Sequence, residues 1–176
     1  RFIIGTYPVS DPAYNEILTT AKKKNIPIEL WKKGDTFALN NRIKIQVFNP
    51  HQGLTIENLN NRSLVMKIGY GENSFLLTGD IETAIEEHLI FSHFPLCTDI
   101  LKIAHHGSKY SSGLYFLHAT KPSIAVMSVG AGIKGIPSEK ALERYRSLST
   151  PVLRTDRDGL IKICSDGQNI SYCTYK

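Results

Sequence analysis

Apolar positions along this chain keep two rhythms. Tyr14, Ile17, Leu18 and Ala21 fall at i, i+3, i+4 and i+7, the spacing of one helical face. Asp11-Pro12 suits the start of that helix and Asn25-Ile26-Pro27 its end. Residues 28–31 read as a strand. Residues 37–39 and 43–47 read as a hairpin joined by Asn40-Asn41, residues that tolerate positive φ. Asn49-Pro50-His51-Gln52-Gly53 reads as a loop. Residues 63–68 and 74–78 form a second hairpin around a turn at 69–73. Helical spacing returns at Ile81, Ala84, Ile85, His88 and Leu89, and Asp80 could cap that helix.

Beyond it, 99–104 reads as a strand and 114–118 as a short helix. The apolar, β-branched run 124–129 suits a strand buried on both faces. A glycine-rich loop at 130–137 leads to Ser138, which opens a helix packing Ala141, Leu142, Tyr145 and Leu148. Strands at 152–154, 160–164 and 170–173 close the chain, with a tight polar turn at Thr155-Asp156-Arg157-Asp158-Gly159. Strands alternating with helices define an α/β class, or α+β given the hairpins, with layered packing.

The 176 residues, 41% hydrophobic, suffice for one core, so a single domain over 1–176 is expected. No apolar run approaches the roughly 20 residues that span a bilayer, and no signal-peptide pattern opens the chain. The first residues, Arg1-Phe2-Ile3-Ile4, read as a strand already under way, without an initiator Met. An N-terminally truncated domain cut from a longer protein is the expectation.

Charge adds little by itself. Lys and Arg number 21 against 16 Asp and Glu, a net charge of +5 that is compatible with a polyanionic partner. Lys22-Lys23-Lys24 and Lys32-Lys33, however, sit where solvated lysines ordinarily do. The three cysteines have no metal-binding spacing. A two-residue turn at Asp166-Gly167 would set Cys164 opposite Asn169 and Cys173 opposite Leu160, so free, mostly buried thiols are expected.

The candidate chemistry lies at two strand exits. Leu76-Leu77-Thr78-Gly79-Asp80 ends one apolar run and Leu101-Lys102-Ile103-Ala104 leads into His105-His106-Gly107-Ser108. A carboxylate and imidazoles delivered by buried strands are donors that borderline divalent metals such as zinc accept. Each residue also has a plain structural reading: Asp80 as a helix cap, one core histidine and one exposed one. Adjacent histidines point apart, so one can ligate while the other donates a proton or hydrogen bond to a phosphate or leaving group. Gly107 permits close backbone approach and Ser108 offers a hydroxyl. His51, His88, His93 and His118 read as structural or unpartnered. No nucleophile elbow, Walker loop or dinucleotide fingerprint is present.

The order of these motifs resembles a known family. Asn60-Asn61-Arg62-Ser63-Leu64-Val65 comes first, then Phe75 through Glu82 with Glu86 and Leu89. Asp99 through Lys109 with Ser111-Ser112 follows, then Pro122, Ser128-Val129-Gly130, and Arg154-Thr155-Asp156 with Gly159. From about Tyr14 to about Ile163 the chain resembles the metallo-β-lactamase-fold domain of the ComEC competence proteins.

That resemblance implies the C-terminal part of an αββα sandwich, in a polytopic membrane protein that carries transforming DNA across the inner membrane. It implies a metal-dependent DNA phosphodiesterase, with zinc or manganese as cofactor in the intact parent and inactivity for this fragment alone. By similarity, Asp80 and His105 would bind metal, and His106 and Ser108 would act on the phosphate or leaving oxygen. Asn60, Ser63, Gly107 and Lys109 would bind substrate. DNA and the rest of the membrane protein would be the partners, a homodimer of the fragment is a further expectation, and the domain would lie on the extracytoplasmic face.

Two departures stand against this pattern. The family's His-x-His-x-Asp-His cluster is missing, and the loop after Ser128-Val129-Gly130 is one residue short, with Ile136 where histidine is expected. They motivate the alternative of a degenerate, non-catalytic domain that binds DNA or a protein partner. A hydrolase of another phosphoester on the same fold is a third reading.

Overall fold

The computed structural model describes residues 1–5, 11–51 and 58–176. A parallel pair, β1 (Phe2–Ile4) and β2 (Ile28–Leu30), flanks helix α1 (Pro12–Lys23). Strands β3 (Thr36–Leu39), β4 (Ile43–Asn49), β5 (Val65–Tyr70) and β6 (Asn73–Leu77) form an antiparallel meander. Three parallel strands extend it: β7 (Ile100–Lys102), β8 (Ile124–Met127) and β9 (Val152–Arg154). The resulting seven-stranded sheet is ordered β3-β4-β5-β6-β7-β8-β9. Helices α2 (Thr83–Phe91), α3 (Leu114–Thr120) and α4 (Glu139–Ser147) make the crossovers that parallel pairing requires. A helical turn, α5 (Thr155–Asp158), leads to the hairpin β10 (Leu160–Ser165) and β11 (Ile170–Tyr175). This is a layered, mixed α/β fold.

The main core lies between one sheet face and the crossover helices. Leu76, Leu101, Ile103, Ala125 and Met127 meet Ile85 and Leu89 of α2, Phe116 and Leu117 of α3, and Leu142 and Tyr145 of α4. Each fully buried aliphatic side chain contributes about 1.5–3 kcal/mol. On the other face Trp31 stacks on Phe37, with ring centres 4.1 Å apart, over Ile45 and Val47.

Local signals placed most elements. The Asp11 side chain accepts from the Tyr14 amide and Ser138 from the Ala141 amide, capping α1 and α4. Asn40 and Asn41 turn the first hairpin at φ +52 and +55. The second hairpin is tighter than expected, with only Gly71 and Glu72 between its strands.

Four expectations need correction. α2 starts at Thr83, so its buried arc holds Ile85, Glu86 and Leu89 while Ala84 is exposed. Asp80 therefore does not cap it; Glu82 occupies that position and makes no side-chain capping bond. On α1 only Ala21 is fully buried, and Ile17 stays exposed. The last hairpin sets Cys164 opposite Ser171 and Cys173 opposite Lys162, because its loop runs from Asp166 to Asn169. All three cysteines are free, as expected, but exposed rather than buried. Of the loop read at 49–53, Gln52 and Gly53 lie outside the described residues. Among the described residues, no helix is long and apolar enough to cross a membrane.

Candidate functional site

Strands β6 to β9 are parallel, so their carboxyl ends open on one edge of the sheet, where α/β proteins place ligands. The exits of β6 and β7 are stitched together there. The Thr78 hydroxyl donates to the Lys102 carbonyl at 2.6 Å and the His105 amide to the Gly79 carbonyl at 3.1 Å. Gly79 adopts φ +55, and a Cβ there would lie 2.6 Å from Ser63 Cβ. Glycine is thus required on two counts, and the turn projects Asp80 with its amide donating to Ser63 Oγ at 3.0 Å.

The following loop is strained. His105, His106 and Gly107 take φ +47, +54 and +81 in succession. For the two histidines the left-handed region costs on the order of 1–3 kcal/mol each, a price found mostly at functional positions. Gly107 has no room for a side chain, since a Cβ would lie 2.7 Å from Met127 Cε and 3.1 Å from Pro137 Cβ.

This geometry brings His106, rather than His105, to Asp80. His106 Nε2 lies 3.6 Å from Asp80 Oδ1, and His106 Nδ1 is 2.6 Å from the Ser128 carbonyl. A carbonyl only accepts, so Nδ1 carries a proton. Nε2 is left facing the Asp80 carboxylate, too far for a direct hydrogen bond. His105 turns inward, with Nδ1 buried 3.4 Å from Glu82 Oε1 but not aimed for a hydrogen bond. Behind the pair, burial pushes the Lys102 ammonium pKa down while the Asp80 charge pulls it back up.

The remaining sequence candidates divide. Ser63 supports Asp80. Asn60 takes part through its backbone, its carbonyl accepting from the Ser63 amide and its amide donating to Asn58 Oδ1, both at 3.0 Å. Asn61 and Asn49 do more than the sequence suggested. Asn61 Oδ1 accepts from the Glu82 amide at 2.8 Å, and fully buried Asn49 donates to the Asn61 and Ser63 carbonyls at 3.0 and 2.7 Å. The one signal for Asn49 was a polar residue ending an apolar strand.

Ser108 is buried, its amide bonded to the His105 carbonyl and its Oγ accepting from the Tyr110 amide at 3.3 Å. Lys109 is exposed, with Nζ 4.9 Å from the Tyr110 ring centre. Thr155 ties the exit of β8 to β9, its hydroxyl donating to the Val129 carbonyl and accepting from its amide. Ile136 packs against the main core.

Asp80 and His106 are the donor types a divalent ion accepts. Two donors do not hold one, and among the described residues no three His, Cys, Asp or Glu side chains converge. The residues at hand do not by themselves fit the metal that the resemblance implies.

No protein-family model matches the chain. The fold is shared with a Parabacteroides distasonis structure described as a metal-dependent hydrolase. The TM-score is 0.52 at 14% identity, covering 88% of this chain and 74% of that one. The class defined by fold and site is a layered, mixed α/β protein with a carboxylate and an imidazole at the carboxyl edge of its parallel strands. Among curated relatives, the chain is 34% identical to ComE operon protein 3 of Bacillus subtilis over 164 residues, 92% of this chain and 21% of that protein. Recombination protein 2 of Haemophilus influenzae is 32% identical over 122 residues, 69% of this chain and 15% of that protein. Competence protein ComA of Neisseria gonorrhoeae is 36% identical over 105 residues, 58% of this chain and 15% of that protein. These relatives support a competence-protein family, of whose members the chain spans about a fifth of the length or less.

Proposed function

We propose that this chain is part of a DNA phosphodiesterase within a ComEC-like DNA-uptake membrane protein. In this reading Asp80 and His106, carried on the 105–108 loop, face the nucleic-acid backbone. The observation that carries it is the Asp80–His106 pair, 3.6 Å apart at the carboxyl edge of the parallel strands on a strained loop. His106, oriented through Nδ1 by the Ser128 carbonyl, can give a proton from Nε2 to a leaving oxygen, with Asp80 beside that same nitrogen. A metal-dependent reaction, with zinc or manganese, needs donors beyond the described residues, so no step is assigned to an ion. The isolated chain is expected to be inactive, and an extracytoplasmic position on the membrane protein belongs to the same proposal.

The test is DNA cleavage by the intact protein supplied with manganese or zinc, with and without Asp80→Ala. Loss of cleavage in the variant supports the reading, and unchanged cleavage overturns it.

A second reading, a non-catalytic domain that binds DNA or a partner, is favoured by the two-donor site among the described residues and by Ile136 packed against the core. DNA binding that falls with salt but persists in EDTA, without turnover, would support it.

A further inference from the structure

Behind the histidine loop lies a polar cluster that the proposed chemistry does not use. Glu86 of α2 is 1% exposed inside the apolar core, where an ionised carboxylate is costly. Its oxygens are not idle. Oε1 accepts from the Ser112 amide and Oε2 from the Gly113 amide, the latter at 2.8 Å. Ser112 takes φ +61, the left-handed turn that aims successive amides at one anion.

The same segment is bound back to the histidines. Ser111 Oγ donates to the carbonyls of Ala104 and Ser108, both at 3.1 Å, and the Ser108 amide donates to the His105 carbonyl. From α4, Arg144 donates to the Ser111 and Lys109 carbonyls, and Tyr145 Oη lies 2.9 Å from Ser112 Oγ. Residues 104–113 therefore form a bracket that opens on the left-handed histidines and closes on Glu86.

We infer that Glu86 is a positioning residue: by holding the Ser112 and Gly113 amides, it fixes the strained loop that presents His106 to Asp80. The clamp stands on geometry alone, and its link to catalysis rests on the phosphodiesterase reading. It is also sensitive to pH. Burial raises the Glu86 carboxyl to about 7, opposed by the two amides and by the Arg144 charge and reinforced by neighbouring Glu87. Tyr145, itself pushed above its ordinary value by burial, stays neutral. Opening the loop would hydrate Glu86 and return it towards the ordinary 4.5, so the closed loop binds the proton more tightly. Acid therefore favours the closed bracket, and rising pH loosens it.

Amide hydrogen exchange of the full chain, corrected for intrinsic rates, tests the clamp. Wild type should protect the Ser112 and Gly113 amides, with an opening constant that grows on the order of 100-fold from pH 5 to 8. Glu86→Gln should open more readily at pH 5 and lose that pH dependence. Gly113→Ala is the second variant: its backbone has an ordinary φ of −59, and its Cβ would lie 3.2 Å from Glu86 Oε2. It should weaken protection at both amides without unfolding the chain. Unprotected amides in wild type, or a Glu86→Gln profile that superposes on wild type, would overturn the clamp. Cleavage by the intact protein reads the other half separately. If Asp80→Ala leaves cleavage unchanged, the phosphodiesterase reading fails while the exchange result stands.

Discussion

A Cβ placed on Gly79 would lie 2.6 Å from the Cβ of Ser63, with Ser63 Oγ at 2.9 Å. Ser63 can support the Asp80 amide only because residue 79 has no side chain. The turn that delivers the candidate carboxylate is thus built on contact between two neighbouring strand ends.

Gly79→Ala should destabilise the chain by the left-handed strain, about 1–2 kcal/mol, plus the cost of the clash. Gly132→Ala provides the control, because it shares a positive φ of +79 but has nothing within 4 Å of its Cβ. Urea midpoints should fall further for Gly79→Ala. Equal losses would mean the Ser63 contact is not tight.

Tyr145→Phe should cost about 1–3 kcal/mol, because it leaves buried Ser112 Oγ without its partner. Tyr115→Phe, at a side chain 82% exposed, should leave the thermal midpoint unchanged. A similar midpoint for both variants would remove Tyr145 from the bracket.

Glu86 gives the stability curve a definite sign. Its folded value of about 7 exceeds the ordinary 4.5, so the folded chain binds this proton more tightly than the unfolded one. The contribution is complete below about pH 4.5 and is lost as pH rises towards 7, by on the order of 3 kcal/mol. Asp156 and Asp158 are held low, chiefly by hydrogen bonds from Arg154 and Arg157 respectively, and act in the opposite sense under acid. The difference between wild type and Glu86→Gln in urea titrations isolates Glu86. A difference that grows in favour of wild type as pH rises would contradict this sign.

Local chemistry made much of the fold legible. Asp11 and Ser138 announce helix starts, Asn40-Asn41 a hairpin, and Gly79-Asp80 a strand exit, because each acts through neighbours in sequence. What the sequence left open depended on distant partners. That His106 and not His105 meets Asp80 follows from three consecutive left-handed residues, which no spacing rule reveals. Glu86 carries no local sign of its burial, because its partners, the Ser112 and Gly113 amides, lie 26 and 27 residues further on. The cysteine register was misjudged because Asp166 Oδ1 accepts from the Gln168 and Asn169 amides, widening a turn that Asp-Gly alone suggests is tight.

The most direct test of the central claim is manganese- or zinc-supported DNA cleavage by the intact protein, comparing wild type with Asp80→Ala and His106→Ala. The account predicts cleavage by wild type and a loss of about 10²–10⁴-fold in His106→Ala, with a comparable loss in Asp80→Ala. Cleavage that survives both substitutions would contradict it, as would a wild-type protein that binds DNA in EDTA and never cuts it.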